Sequence, residues 1–451
     1  MKNFLATLGT ALLAVRSVAA IELDLTSPDS IKSAARKAAD GMMSFYDGNQ
    51  TGKVPGDLPD PYYWWEAGAM MGALIDYWYY TGDTSYNPTV EEAMLFQVGP
   101  DDNYMPPNQS KSLGNDDQGF WGIAAMSAAE AKFPNPPDDE PQWLALAQAV
   151  FNSQAVRWNT ESCGGGLKWQ IFSFNDGYTY KNTISNGCFF NLASRLGMYT
   201  GNKTYLEWAT RSWEWQVAIG LIDDETWQVF DGSNDMQNCT KVNHMQWSYN
   251  TGVLLYGAAT MWNQTENDER AQWEARINGL LEGVNVFFKD DIMYEVACEP
   301  AGTCNVDQRS FKAYLSRWMA ATTKIVPFTH DIIMPLIQTS AAAAALACTG
   351  GDTGDMCGVQ WTTGVFDGNL GIGEQMSALE VIQSNLIDQV AGPVSASTGG
   401  ISSGDASGGL GSESTPSSYT GAINTGDRAG AGILTALVII SLLGGTWWMV
   451  S

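Results

Sequence analysis

The chain has 451 residues and a formal net charge of −26, with 23 Lys and Arg against 49 Asp and Glu. That balance excludes nucleic acid as a partner, because phosphates demand a basic surface, and it argues equally against a polyanionic substrate. Only 16% of residues are charged while 11% are aromatic, 18 tryptophans among them, so the composition suits a neutral ligand that stacks on flat rings, as sugars do, with more than half of the tryptophans expected in the core.

Residues 1–20 read as a signal peptide. Lys2 gives the basic start, 4–15 the apolar stretch and Val18-Ala19-Ala20 a small-residue cleavage site, with Arg16 an unusual charge near its end. An uncleaved anchor is the alternative, but so short a run spans a bilayer poorly. One large domain is expected over 21–393. Within it, Gly- and Ala-rich helical runs begin near Trp65, Gly119, Gly187, Asn250, Phe311 and Gly371, at intervals of roughly sixty residues. Each is apolar nearly all round, as a helix packed on both sides must be. More amphipathic stretches lie between them, at 31–46, 86–97, 140–158, 203–219, 267–288 and 328–347. Twelve alternating helices in six pairs predict a closed toroid of helical hairpins, with an open solenoid as the alternative.

Strand-like segments at 169–173, 228–230 and 292–295 are expected as small hairpins in the connecting loops. After Val394 the composition turns to Ser, Gly and Thr, so 394–424 is expected as a disordered stalk. Residues 433–450 form an almost uninterrupted apolar run, preceded by Asp427-Arg428 and the small triplet Asn424-Thr425-Gly426. This is the layout of a GPI signal, with 425–451 removed and Asn424 carrying the glycolipid that holds the chain to the plasma membrane. An ordinary transmembrane helix would leave Lys or Arg on its cytoplasmic side.

Seven cysteines fit an oxidising compartment. Cys298 with Cys304 and Cys348 with Cys357 are close enough to close small loops, which leaves Cys163, Cys188 and Cys239 with one thiol over. Asn49, Asn108, Asn202, Asn238 and Asn263 are glycosylation sequons, the fourth containing Cys239.

In an alternating helical toroid the ligand site lies where loops meet the N-terminal ends of the inner helices. The second inner run is preceded by Gly114-Asn115-Asp116-Asp117-Gln118-Gly119-Phe120-Trp121. Adjacent carboxylates stand roughly 5–6 Å apart, close to the spacing of retaining glycosidases and short of the inverting gap. Two such acids cannot ionise equally, so the pair suits a nucleophile plus an acid. Helix capping is the competing reading of Asn-Asp-Asp before an apolar run. Trp64, Trp65, Trp121 and Trp247 start inner helices and are candidate sugar platforms, with core packing as the alternative for each. Glu66, Asp231, Tyr249 and Asn250 are weaker substrate-binding candidates; Asp231-Gly232 also reads as a turn, and Glu66 and Asn250 as helix caps. His244 and His330 are too far apart to suggest a metal pair, and Asp138-Asp139-Glu140 reads as a solvated loop. Neither a metal nor a cofactor is expected.

Asn115-Asp116-Asp117-Gln118-Gly119-Phe120-Trp121, the earlier Trp64-Trp65-Glu66-Ala67-Gly68-Ala69 and the later Tyr249-Asn250-Thr251-Gly252 resemble glycoside hydrolase family 76. Within that family the chain is most similar to the fungal GPI-anchored branch of mannan endo-1,6-α-mannosidases, over nearly all of 21–390. The resemblance implies an all-α (α/α)6 barrel and a retaining mechanism, with Asp116 as nucleophile and Asp117 as general acid/base. It also implies cell-wall work by a monomer on α-1,6-linked mannose glycans or a GPI core glycan, either by hydrolysis or by transfer to β-glucan. A wall-glycan-binding protein on the same fold, with the acids serving only as caps, is the reading to be weighed against it.

Overall fold

The computed structural model describes residues 20–410. Six helices line the inside of the fold: α2 (Trp64–Thr81), α4 (Asn115–Ala131), α6 (Thr183–Thr200), α8 (Ser248–Gln264), α10 (Phe311–Ile325) and α12 (Ile372–Gln383). Six more lie outside them: α1 (Pro28–Met43), α3 (Asn87–Phe96), α5 (Trp143–Val156), α7 (Lys203–Ala218), α9 (Asn267–Gly283) and α11 (His330–Leu346). Each inner helix packs on the next, α12 returns to α2, and α1 lies on α12, so the ring closes as an (α/α)6 barrel and the solenoid is excluded. Burial follows the expected division. Seventeen successive residues of α6, Thr183–Tyr199, are buried, whereas α7 buries one stripe through Tyr205, Ala209, Ser212, Trp213 and Gln216.

The small residues of the inner runs have a packing reason. A Cβ added at Gly68 would meet Trp121 at 2.7 Å, one at Gly119 would meet Cys188 at 2.7 Å, and one at Gly187 would meet Val253 at 2.6 Å. Glycine thus sets the close approach of successive inner helices. The paired Tyr-Thr-Gly ends of α2 and α6 are helix stops: Gly82 (φ 76°) and Gly201 (φ 71°) take the left-handed conformation that closes a helix.

Beside one end of the barrel, β1 (Tyr180–Asn182) pairs antiparallel with β2 (Gly232–Asn234), and β2 with β3 (Val242–Asn243). Elsewhere β4 (Phe288–Lys289) and β5 (Ile292–Met293) form a hairpin. Only the last strand-like segment therefore yields a strand. Residues 169–173 and 228–230 contribute single bridges, Gly114 with Gln170 and Ile222 with Val229. The strands at the mouth are polar and short, so tertiary neighbours decide their pairing and no alternating pattern announces them. Disulfides join Cys163 to Cys239, Cys298 to Cys304 and Cys348 to Cys357, leaving Cys188 free and buried.

Residues 394–410, expected as the start of the stalk, are packed on the barrel. Through residue 410 the chain is laid along α5 and the end of α6: Ala396 N–H donates to Met198 O (2.9 Å), Leu144 N–H to Ser402 Oγ (2.9 Å), and Asn152 Nδ2 to the carbonyls of Ala406 (3.1 Å) and Gly408 (2.9 Å). The residues that suggested disorder are what allow the contact, since a Cβ at Gly404 would lie 2.4 Å from Gln148 Oε1 and one at Gly409 2.5 Å from Ala149 O. The leader through residue 19, the remainder of the stalk, Asn424 and the attachment signal 425–451 lie outside the described residues. No helix among the described residues is long and apolar enough to cross a membrane.

Candidate active site

The N-terminal ends of the inner helices meet at one mouth, and α4 brings Asp116 and Asp117 there. Asn115 fixes this helix start: its N–H donates to Trp169 O (2.8 Å), its Nδ2 to Lys168 O (2.8 Å), and its Oδ1 accepts from Arg157 Nε (2.9 Å). The same bonds draw Trp169 over the cleft. Gly114 is the N-cap, and a side chain there would displace the acids. A Cβ there would stand 2.3 Å from Asp116 Oδ1 and 3.1 Å from Asp117 Oδ2. Both oxygens thus converge on one point, inside the ~6.5–9.5 Å gap that an inverting pair leaves for its water.

The two carboxyls sit in different surroundings. Asp116 Oδ1 accepts from the Asp117 backbone N–H (3.1 Å) and Oδ2 from Asn182 Nδ2 (3.5 Å). Asn182 ends β1 and also caps α6, accepting from Ser185 N–H (3.3 Å), so the rim sheet positions the group that steadies Asp116. Burial pushes Asp116 up to about 7, helped by the charge of Asp307 and opposed by these donors. Asp117 accepts only from Gly114 N–H (2.6 Å). Burial and then the charge of Asp116 hold it well above the usual carboxylate range. Among the described residues no ion pair reaches either acid. Asp116 therefore ionises first and Asp117 keeps its proton. The capping reading is also correct for Asp117, whose one oxygen closes the first turn of α4 while it faces the cleft.

An inner cavity of about 400 Å³ holds both acids between Trp65, Trp169, Tyr249 and Phe311. Tyr249 and Phe311 stack at 3.9 Å. A larger hollow of about 1010 Å³ shares Trp65, Asp117, Trp169 and Asp307 with it and extends to Trp64, Lys111, Asn175 and Asp176. Asp116 faces the inner cavity alone, whereas Asp117 stands where the two meet. A ring in the inner cavity would meet Asp116, with Asp117 on the side that opens to the outer hollow.

Of the other sequence candidates, Trp65 and Tyr249 wall the inner cavity and Trp64 the outer hollow. Three are corrected. Glu66 is fully buried and its Oε2 accepts Tyr63 N–H (3.3 Å) as a cap of α2. Trp121 is fully buried between Trp64 and Tyr104, at 5.1 and 5.3 Å. Asn250 is buried on α8 and exposes nothing to the cleft. In each case the helix turns the side chain into the ring of neighbours. Asp231 ties the rim together, accepting from Tyr180 OH (2.7 Å) and Asn243 Nδ2 (3.2 Å), and Trp247 packs edge-on against Phe311. Neither is among the side chains that wall the two cavities. All five sequon asparagines are exposed, and Cys239 within the fourth sequon is disulfide-bonded.

Sequence reasoning missed Trp169, Asn182, Asp307 and Phe311. Phe311 opens a run that was identified as an inner helix, so its place at the mouth was within reach. Asp307 opens a single 3-10 turn, Asp307–Ser310, too short to show a period, and only the closed ring brings it into the cavity of Asp116 and Asp117.

A helical toroid with an uncompensated pair of acids in an aromatic-walled cleft is the build of a retaining glycoside hydrolase. The chain belongs to glycosyl hydrolase family 76, whose model matches residues 30–397. It is 49% identical to Mannan endo-1,6-alpha-mannosidase DCW1 of Saccharomyces cerevisiae over 442 residues, 97% of both chains. It is 45% identical to Mannan endo-1,6-alpha-mannosidase DFG5 of the same organism, over 99% of this chain and 98% of that one. The crystal structure of Dfg5 from Chaetomium thermophilum in complex with glucosamine superposes with a TM-score of 0.84 at 50% identity, covering 87% of this chain and 98% of that one. An α-1,6-mannanase from Salegentibacter shares the fold at 18% identity, with a TM-score of 0.63 over 79% of this chain and 98% of that one.

Proposed function

We propose that this chain is a retaining, endo-acting α-1,6-mannosidase of the fungal cell surface that takes part in cell-wall biogenesis. The observation that carries the reading is the Asp116–Asp117 pair, close together, without a cation, and with its two proton affinities set apart by different surroundings. Relatives named for α-1,6-mannan hydrolysis match nearly the full chain and support the substrate.

In the reaction, Asp116 attacks the anomeric carbon of the sugar in the inner cavity and forms a glycosyl ester. Asp117 gives its proton to the departing glycosidic oxygen. It then takes a proton from water, which opens the ester with retained configuration. Trp65, Trp169 and Tyr249 offer flat faces to the ring's C–H surfaces.

A second reading is transfer, in which a GPI core glycan is the donor and a hydroxyl of wall β-glucan replaces water. The outer hollow beside Asp117 has room for a sugar on the leaving-group side, which hydrolysis by an endo-acting enzyme and transfer both require, so it admits transfer without selecting it. Secretion through the leader 1–20, glycosylation at the five sequons, anchoring through Asn424 and action as a monomer belong to the same proposal.

The test is incubation of residues 21–410 with linear α-1,6-mannan, following the anomeric configuration of the first product by NMR. Release of α-configured ends by the wild type, lost in Asp116→Asn and Asp117→Asn, is expected. Wild-type activity surviving both substitutions, or inverted product, sinks the assignment. Adding β-glucan oligosaccharides and finding mannose-bearing glucan products decides for transfer.

A further inference from the structure

A third carboxylate, Asp307, lines the inner cavity together with the dyad. It sits in the turn leading into α10 and borders both cavities. Its Oδ1 accepts from Trp65 Nε1 (3.0 Å), and among the described residues no group binds its other oxygen. Arg309, two residues on, is turned to Glu374 instead (3.1 Å). An indole N–H needs only a neutral acceptor, and an amide would serve without repelling two neighbouring acids. The open, uncompensated oxygen at the cavity wall is what such a structural role leaves unexplained.

Resting on the mannosidase reading above, we propose that Asp307 is a third acid of the reaction centre. Its open oxygen binds a hydroxyl of the sugar seated between Trp65 and Tyr249, and its negative charge faces the anomeric centre as that centre turns positive. Trp65 fixes the carboxylate in place for both tasks, so the charge is positioned before substrate arrives.

The groups that feel this charge are Asp116 and Asp117 on α4, Glu66 on α2, Tyr249 on α8 and Tyr314 on α10. Lys111 and Asp176 stand farther out on the wall of the outer hollow. Asp307 raises the proton affinity of both dyad acids, so neutralising it lowers both.

The experiment is the pH profile of kcat/KM on α-1,6-mannan oligosaccharides for wild type, Asp307→Asn and Asp307→Glu. Asn keeps the acceptor for Trp65 but removes the charge: kcat/KM falls about tenfold or more, and both limbs of the profile move to lower pH. Glu keeps the charge and displaces the oxygen, so KM rises while the limbs stay. A wild-type profile and KM in Asp307→Asn, or an unchanged KM in Asp307→Glu, overturns the proposal. Should the wild type prove inactive, the mannosidase reading fails by itself. The role of Asp307 is then read from tryptophan fluorescence titrated with α-1,6-mannotriose. Weaker binding by Asp307→Asn supports it, and equal binding, or none by either protein, overturns it.

Discussion

The two ends of the barrel bury the same kind of group under opposite conditions. At the far end, where the inner helices finish, Arg317 holds Asp76 (2.7 Å) and Glu380 (2.6 Å), and Arg195 holds Glu130 (2.7 Å). Asp76, Arg317, Glu130 and Arg195 line a cavity of about 550 Å³. At the mouth, Asp116, Asp117 and Asp307 share a cleft, and among the described residues no cation pairs with any of them. Burial lifts the acids at both ends, but at the far end arginines pull back, while at the mouth only N–H donors do. The paired acids are part of the frame, and the unpaired ones at the mouth are the candidates for chemistry. They are singled out by facing the cleft as well, since Glu66 is buried without a cation and only caps α2.

The comparison breaks most visibly if activity and stability do not separate between the ends. Asp117→Asn at the mouth is expected to lower kcat about a thousandfold, with a melting temperature no lower than wild type. A large fall in melting temperature would mean that the dyad is structural after all. Arg317→Met at the far end should do the reverse. It leaves Asp76 and Glu380 buried without their partner, so urea unfolding is expected to show a loss of about 3–5 kcal/mol, with kcat/KM per folded molecule unchanged.

A third prediction concerns pH. The folded-state value of Asp116 is raised from 3.8 to about 7. Its contribution to stability is therefore present below its unfolded value and lost as pH rises through about 7. Asp116→Asn removes that loss, so the variant should melt above wild type at pH 8, by up to a few kcal/mol, and the gap should close by pH 4. A gap that is constant with pH would show that Asp116 is not buried as an acid. The same titration sets the wild-type activity profile. Activity rises as Asp116 ionises near pH 7 and falls at higher pH as Asp117 loses its proton.

The smallest effect tests the strap formed by residues 394–410 along α5 and the end of α6, which belongs to neither end. A chain stopping at 394 loses the bonds to Leu144, Met198 and Asn152 and should be less stable by about 1–3 kcal/mol than one stopping at 410, with equal kcat. Equal melting temperatures would restore the boundary that composition suggested.

The amino-acid sequence by itself determined the twelve helices, because burial on one or both sides writes its period directly into the chain. It also determined two of the three disulfides, whose cysteines are near neighbours, and placed Asp116 and Asp117 at a helix start. Local pattern did not reach what depends on distant partners. Trp121, Glu66 and Asn250 share helix starts with true cleft residues, and only the packed ring turned them inward. The strap looked disordered because its glycines lack side chains, yet that lack is what lets the backbone touch α5. Asp307 carries no local signal, lying about 190 residues from the dyad in a single 3-10 turn. Closure of the toroid brought it into one cavity with Asp116 and Asp117. The tertiary structure decided which acids stand without cations, since charge compensation depends on which side chains meet in space.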